Sequence, residues 1–142
     1  TNMTPQNIAR AAVEGATLGL AYGLKRFRDL GMNPAEIRLT GGGSKSPTWR
    51  QIAADCFNAE VVTLSTSEGA ALGAAIQAAY ARANEKASPE REVVSYDELC
   101  ARLVKLDEST RCHPDATRAA RYYEQLEQQM ELTGRLSQVG WL

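Results

Sequence analysis

The run Thr40-Gly41-Gly42-Gly43-Ser44-Lys45-Ser46-Pro47 holds the residue types best able to meet a small polar ligand. Glycine has no Cβ, so its backbone can take positive φ and let a flat base or a phosphate lie against it. Ser44 and Ser46 add hydroxyls that both donate and accept. Upstream, Glu36-Ile37-Arg38-Leu39-Thr40 alternates polar and apolar residues and predicts a short strand. Pro47 predicts the opening of a helix. A turn between a strand's carboxyl end and a helix start is where open α/β sheets take ligands, and the first N–H groups of the helix favour an anionic or polar group. The string is not a P-loop, whose first glycine is missing, nor the dinucleotide fingerprint. Residue types alone leave two readings, a nucleotide-binding turn and a plain strand-to-helix connection.

Other chemistry-bearing residues are sparse. Cys56, Cys100 and Cys112 are odd in number and far apart, which fits a reducing cytosol rather than a disulfide framework. Cys112-His113 has no second cluster and His113 is the chain's one histidine, so a metal site is not expected. The 142 residues carry a net charge of −1 with both signs interspersed. That balance provides no electrostatic footprint for nucleic acid or an anionic membrane. The stretch from Ala11 to Leu24 is broken by Glu14 and is too short to span a bilayer. No basic n-region precedes an apolar segment, and the expected location is the cytoplasm.

The elements that must position the turn follow from local signals. Thr4-Pro5 predicts a helix start, and Gly31 predicts its left-handed end. Gly15, Gly19 and Gly23 recur on one face of that helix, each at a cost of about 0.5–1 kcal/mol against alanine, which predicts close approach of another backbone. After Pro47, Trp49, Ile52, Ala53, Cys56 and Phe57 fall on one helical face. Glu60-Val61-Val62-Thr63-Leu64 predicts a second strand. Ser65 and Glu68 read as a capping box opening a third helix to about Ala83. Its nearly side-chain-free Gly69–Ala75 surface is expected to pack on the glycine face of the first helix. Asn84–Val94 reads as a surface loop. Ser95-x-x-Glu98 predicts a short helix burying Leu99, Leu103 and Leu106. A last helix from Pro114 is expected to bury Ala119, Tyr123, Leu126 and Met130, with a frayed tail after Gly134. The division expected is 1–83 as the core and 84–142 as loop and C-terminal helices of the same domain. The fold class is α/β, helix-rich, with a short parallel sheet of two strands, too few to cover itself.

The wider string resembles a known family. Leu39-Thr40-Gly41-Gly42-Gly43-Ser44-Lys45-Ser46-Pro47 with Trp49-Arg50-Gln51-Ile52-Ala53-Ala54-Asp55 is similar to the second-domain signature of the FGGY carbohydrate kinases, nearest to their xylulose kinases. Glu68-Gly69-Ala70-Ala71-Leu72-Gly73-Ala74-Ala75 looks like the family's E-G-A-A-L-G-A-A helix, and Arg10-Ala11-Ala12-Val13-Glu14-Gly15 its R-A-x-x-E-G helix. Pro114-Asp115 to Tyr123 resembles its C-terminal helix less specifically. The resemblance implies a partial actin-like, ribonuclease-H-like ATPase domain. It implies ATP as cosubstrate, with Gly42 and Gly43 facing the nucleotide, Ser46 near its adenine or ribose, and Gly41, Ser44 and Lys45 beside them. Asp55 falls to a structural role in its helix. The family's catalytic aspartate, phosphate loops and first three second-domain strands have no counterpart here. Mg²⁺ and the sugar are therefore expected to be held mainly by parts not in this chain, the absent N-terminal kinase domain is the expected partner, and no catalytic or metal-binding residue is expected here.

Two functions follow. One is the nucleotide-positioning part of a sugar kinase, for D-xylulose or for another sugar of the family such as gluconate, ribulose or glycerol. The other is a non-catalytic nucleotide-binding or assembly module. Either way a bare sheet edge and an apolar face predict a homo-oligomer. Sedimentation of the isolated chain is expected to show self-association, and a stable monomer at micromolar concentration would contradict it.

Overall fold

In a computed structural model, which describes residues 2–85 and 93–141, the chain runs α1 (Pro5–Asp29), β1 (Glu36–Leu39), a 3-10 turn (Gly42–Lys45), α2 (Pro47–Phe57), β2 (Glu60–Leu64), α3 (Gly69–Asn84), α4 (Tyr96–Leu103), β3 (Leu106–Cys112) and α5 (Ala116–Gln138). Each helix start but one is closed by the side chain before it. Thr4 accepts from the Asn7 N–H, Ser46 from Trp49, Ser95 from Glu98 and Asp115 from Arg118. These caps satisfy N–H groups that have no partner within the helix. Gly31 follows α1 with φ of 88°, and Asn58 ends α2 in the left-handed region at φ of 44°.

The exception is α3. Ser65 and Glu68 do not form the expected capping box. Thr66 Oγ1 takes the Glu68 N–H instead, and the helix begins at Gly69 with no side-chain cap. A Cβ on Gly69 would lie 3.2 Å from Thr40 Cγ2, so the glycine lets the start of α3 approach the end of β1.

The sheet corrects the expectation of two parallel strands. Its order is β1-β2-β3, with β1 parallel to β2 and β3 antiparallel to β2. The strand missed by sequence reading is Leu-Asp-Glu-Ser-Thr-Arg-Cys, which has no apolar alternation. Leu106, expected in a helix, opens it. Its register slips between Val61 and Thr63, and the Thr110 hydroxyl fills the gap by accepting the Thr63 N–H at 3.0 Å. Arg111 holds the strand in place across the sheet. Its guanidinium donates to Glu36 on β1 at 3.0 Å, to Glu60 on β2 at 2.9 Å and to Glu108 at 2.7 Å.

One face of the sheet is covered by α2, α1 and α5 around Leu18, Ala21, Ile52, Ala53, Phe57, Val61, Tyr122 and Leu126. Tyr122, not Tyr123, is the buried tyrosine of α5; Tyr123 faces solvent. The helix also continues past Gly134, where the tail was expected to fray, to Gln138. The expected contact of α1 with α3 is not made. A Cβ added at Gly15, Gly19, Gly23 or Gly73 would meet nothing within 4 Å, and α3 packs on α4 instead. Small residues mark surfaces where a close partner fits, without saying which. The loop expected at Asn84–Val94 lies mostly on 86–92, outside the described residues. Asn84 itself ends α3, exchanging hydrogen bonds with the Val94 backbone at 3.0 Å in both directions.

Arg38 and Arg111 hold the Glu36 carboxyl below its usual value of 4.5, and Arg111 does the same for Glu108. A carboxyl lowered in the folded state contributes stability that is present above the unfolded value and lost as pH falls through the folded one. Unfolding by urea, measured as a function of pH, is therefore expected to become easier below about 4.5. Arg111→Gln is expected to reduce that acid-dependent loss.

Candidate functional site

The glycine turn leaves the carboxyl end of β1 and enters α2 through Ser46. Its three glycines answer to three separate constraints. Gly41 has φ of 85° and ψ of −172°, a region essentially closed to other residues. Gly42 is open: a Cβ there meets nothing within 4 Å. Gly43 lies against an aromatic face, and a Cβ there would come to 3.0 Å from Trp49 Cε3. Of the two glycines expected to face a ligand, Gly42 has the bare surface and Gly43 meets a ring of its own protein.

The serines are already engaged. Ser44 is buried, and its Oγ donates to Gly41 O at 2.7 Å, closing the turn on itself. Ser46 Oγ accepts the Trp49 N–H at 3.3 Å. With Pro47 lacking an N–H, the start of α2 offers fewer free donors than a bare helix terminus. Lys45 is exposed, with no carboxylate in ion-pair range among the described residues. Arg50 braces the turn from α2, its Nη1 donating to Ser44 O at 2.8 Å.

Two hollows flank this turn. A polar one of about 340 Å³ is lined by Thr40, Lys45, Arg50, Ser65, Thr66 and Asp107. A smaller, apolar one of about 220 Å³ lies between α1 and α2, beside Val13, Ser46, Trp49 and Ile52. Cavities with an apolar wall and a few polar groups suit small ligands. Sequence reading could have weighed Trp49 only as one apolar position among five on α2, since nothing local marks it as the ring under Gly43.

Away from the turn the chemistry is structural. Asp55, 2% exposed, accepts from Gln51 Nε2 at 3.0 Å, the Asp115 N–H at 2.8 Å and Arg118 Nε at 2.6 Å, which ties α2 to the start of α5. Burial pushes the Cys56 thiol up to about 12, so it stays protonated and unreactive at neutral pH. His113 Nδ1 sits 3.2 Å from Glu60 Oε1. Among the described residues no group of three or more His, Cys, Asp or Glu side chains could hold a metal ion, and no helix is long and apolar enough to cross a membrane.

A family profile described as "FGGY family of carbohydrate kinases, C-terminal domain" matches residues 1–82. The chain belongs to the FGGY family. Its relatives include the xylulose kinase of Haemophilus influenzae, 43% identical over 122 residues that cover 86% of this chain and 23% of that protein. The Escherichia coli xylulose kinase is 36% identical over 119 residues, 83% of this chain and 22% of that one. Among solved structures, a ligand-bound xylulose kinase from Lactobacillus acidophilus superposes with a TM-score of 0.74 at 25% identity, over 92% of this chain and 24% of that one. The xylulose kinase of Rhodospirillum rubrum gives 0.72 at 26% identity, over 96% and 26%. The FGGY chain thus carries part of the actin-like ATPase fold of the sugar kinases and spans about a quarter of the length of these relatives.

The separate roles of the three glycines set an order of tolerance. Gly41→Ala is expected to cost about 1–3 kcal/mol through backbone strain. Gly42→Ala is expected to stay within about 0.5 kcal/mol, and Gly43→Ala to fall between them because the indole must yield. Urea midpoints check the ranking, and it fails if Gly42→Ala is the most costly.

Proposed function

We propose that this chain is the nucleotide-positioning C-terminal part of an ATP-dependent sugar kinase that phosphorylates D-xylulose. The observation that carries the reading is the bare backbone at Gly42, held at a strand's carboxyl end in a chain of the FGGY family. The adenosine end of ATP would lie over that surface, with Gly41 and Gly43 shaping it and Ser46 beside the base or ribose. Ser44 closes the turn from within, and Lys45 supplies an exposed positive charge at its rim. The fit is to the adenosine end alone, because no carboxylate cluster for Mg²⁺ is found among the described residues.

Phosphoryl transfer depends on positioning and on stabilising the charge of the transferred group, for which Mg²⁺, when bound, would supply positive charge. This chain's share is positioning: it fixes one end of the nucleotide so that the other is presented in line. The base that accepts the sugar's proton belongs to an N-terminal domain, the phosphate loops, most of the sugar site and most of the metal site belong to parts outside this chain, and the setting is the cytoplasm. D-xylulose is favoured over other sugars by the relatives named xylulose kinase. Gluconate and the family's other sugars stay as alternatives, since an L-fuculokinase and a gluconokinase are also among the relatives.

Calorimetric titration with ADP tests the reading. The wild type is expected to bind and Gly42→Val to lose at least tenfold in affinity, because the branched side chain occupies the open face while leaving the rest of the turn in place. A flat titration for both proteins would favour a non-catalytic assembly module. Sugar-dependent ATP hydrolysis by this chain alone would contradict the assignment of the chemistry to another domain.

A further inference from the structure

Between the turn and α1 stands one side chain that the proposed function does not use. The ring of Trp49 lies under Gly43, close enough that a Cβ there would reach 3.0 Å from it. The ring's orientation is set from outside the turn. Trp49 Nε1 donates to Thr17 Oγ1 at 3.0 Å, across the junction of α2 and α1. Thr17 is 0% exposed, and its hydroxyl donates to Val13 O at 2.7 Å, one turn back on its own helix. The two bonds fix each other's direction. An indole N–H can only donate, and the single proton of Thr17 goes to Val13, which leaves the oxygen's lone pairs for Trp49.

A ring that merely fills space needs volume and no particular orientation. Here the polar end is locked to a wholly buried acceptor, and the flat face lies against Gly43, where an added Cβ would come to 3.0 Å from the ring. We propose that Trp49 is the positioning residue of the nucleotide turn and that Thr17 on α1 fixes it there. The plane of the Gly42-Gly43 backbone is then set through the indole by a hydroxyl on a different helix. The consequence for nucleotide affinity rests on the function proposed above; the consequence for the turn itself does not.

Hydrogen–deuterium exchange of the peptide spanning Gly41–Ser46 reads the turn without any ligand, with a peptide from the middle of α5 as the internal control. Thr17→Val keeps the shape and removes the acceptor, and Thr17→Ser restores it. Thr17→Val is expected to speed exchange in the turn roughly tenfold, the change that one lost hydrogen bond of ordinary strength produces, with α5 unchanged and Thr17→Ser near the wild type. Trp49→Phe reads the same bond from its other end if Thr17→Val does not fold. Unchanged exchange in the turn, or an equal rise in α5, would overturn the proposal, since either result describes a general packing role. ADP affinity measured on the same proteins separates the two claims. Faster turn exchange in Thr17→Val with no ADP binding by the wild type would sink the nucleotide reading and leave Trp49's positioning role standing. ADP binding by the wild type with turn exchange unmoved in Thr17→Val would do the reverse.

Discussion

The carboxylate of Asp55 is the point on which the helical layer closes. A buried carboxylate is stable only when its oxygens are fully engaged; Asp55 is engaged by its own helix through Gln51 and by α5 through Arg118 and the Asp115 backbone. From there the polar ties run in a ring. On α5, the Tyr122 hydroxyl donates to Glu14 of α1 at 2.7 Å, and Thr17 of α1 accepts from Trp49 of α2 at 3.0 Å. Three helices are thus joined pairwise by directional bonds around a core of Leu18, Ala21, Ile52, Phe57 and Leu126. Apolar burial supplies the driving force without direction. The ring specifies how the helices stand relative to one another, and with them the end of α2 that receives the glycine turn.

Under the nucleotide-positioning function proposed above, this arrangement would give the turn the rigid frame it needs. A nucleotide held for transfer must be placed to within a fraction of an ångström. Glycine turns are intrinsically loose, because each glycine widens the accessible backbone space. Ser44 folding back on Gly41, Arg50 holding the Ser44 carbonyl and Trp49 lying under Gly43 together remove that freedom. The glycines provide the clearance, and their neighbours provide the precision.

Much of this was legible in the sequence because its signals are local. Thr4 and Ser95 announce helix starts by capping chemistry and Pro47 by its place, Gly31 announces an end, and β1 and β2 show strand patterning within four or five residues. What escaped depends on distant partners. The strand β3 is mostly polar, and it is a strand because Arg111 finds Glu36 and Glu60 and because Thr110 meets Thr63. On α5 the expected face was right at Ala119, Leu126 and Met130, and only the choice between adjacent tyrosines, about 100° apart, put Tyr123 inside in place of Tyr122. Ser65 and Glu68 have the capping spacing, yet Thr66 is nearer to the N–H it would satisfy. At the site, the glycine run was visible but the distinct reason for each glycine was not, since that reason lies in a ring six residues on and in a backbone angle.

The two margins of the sheet are unlike. The outer side of β3 is bulged and charged, with Asp107 accepting from both the N–H and the hydroxyl of Ser109, features that discourage pairing. β1 is short and charged through Glu36 and Arg38 but has no bulge, and among the described residues it is paired only with β2. Among the described residues the unbulged margin at β1 is the one better suited to a further strand. Two copies meeting through β1 would use up both available margins and stop at a pair rather than build a fibre. A strand donated by the rest of a longer polypeptide would occupy the same margin. Completion of the sheet within one molecule and its pairing between molecules are thus mutually exclusive.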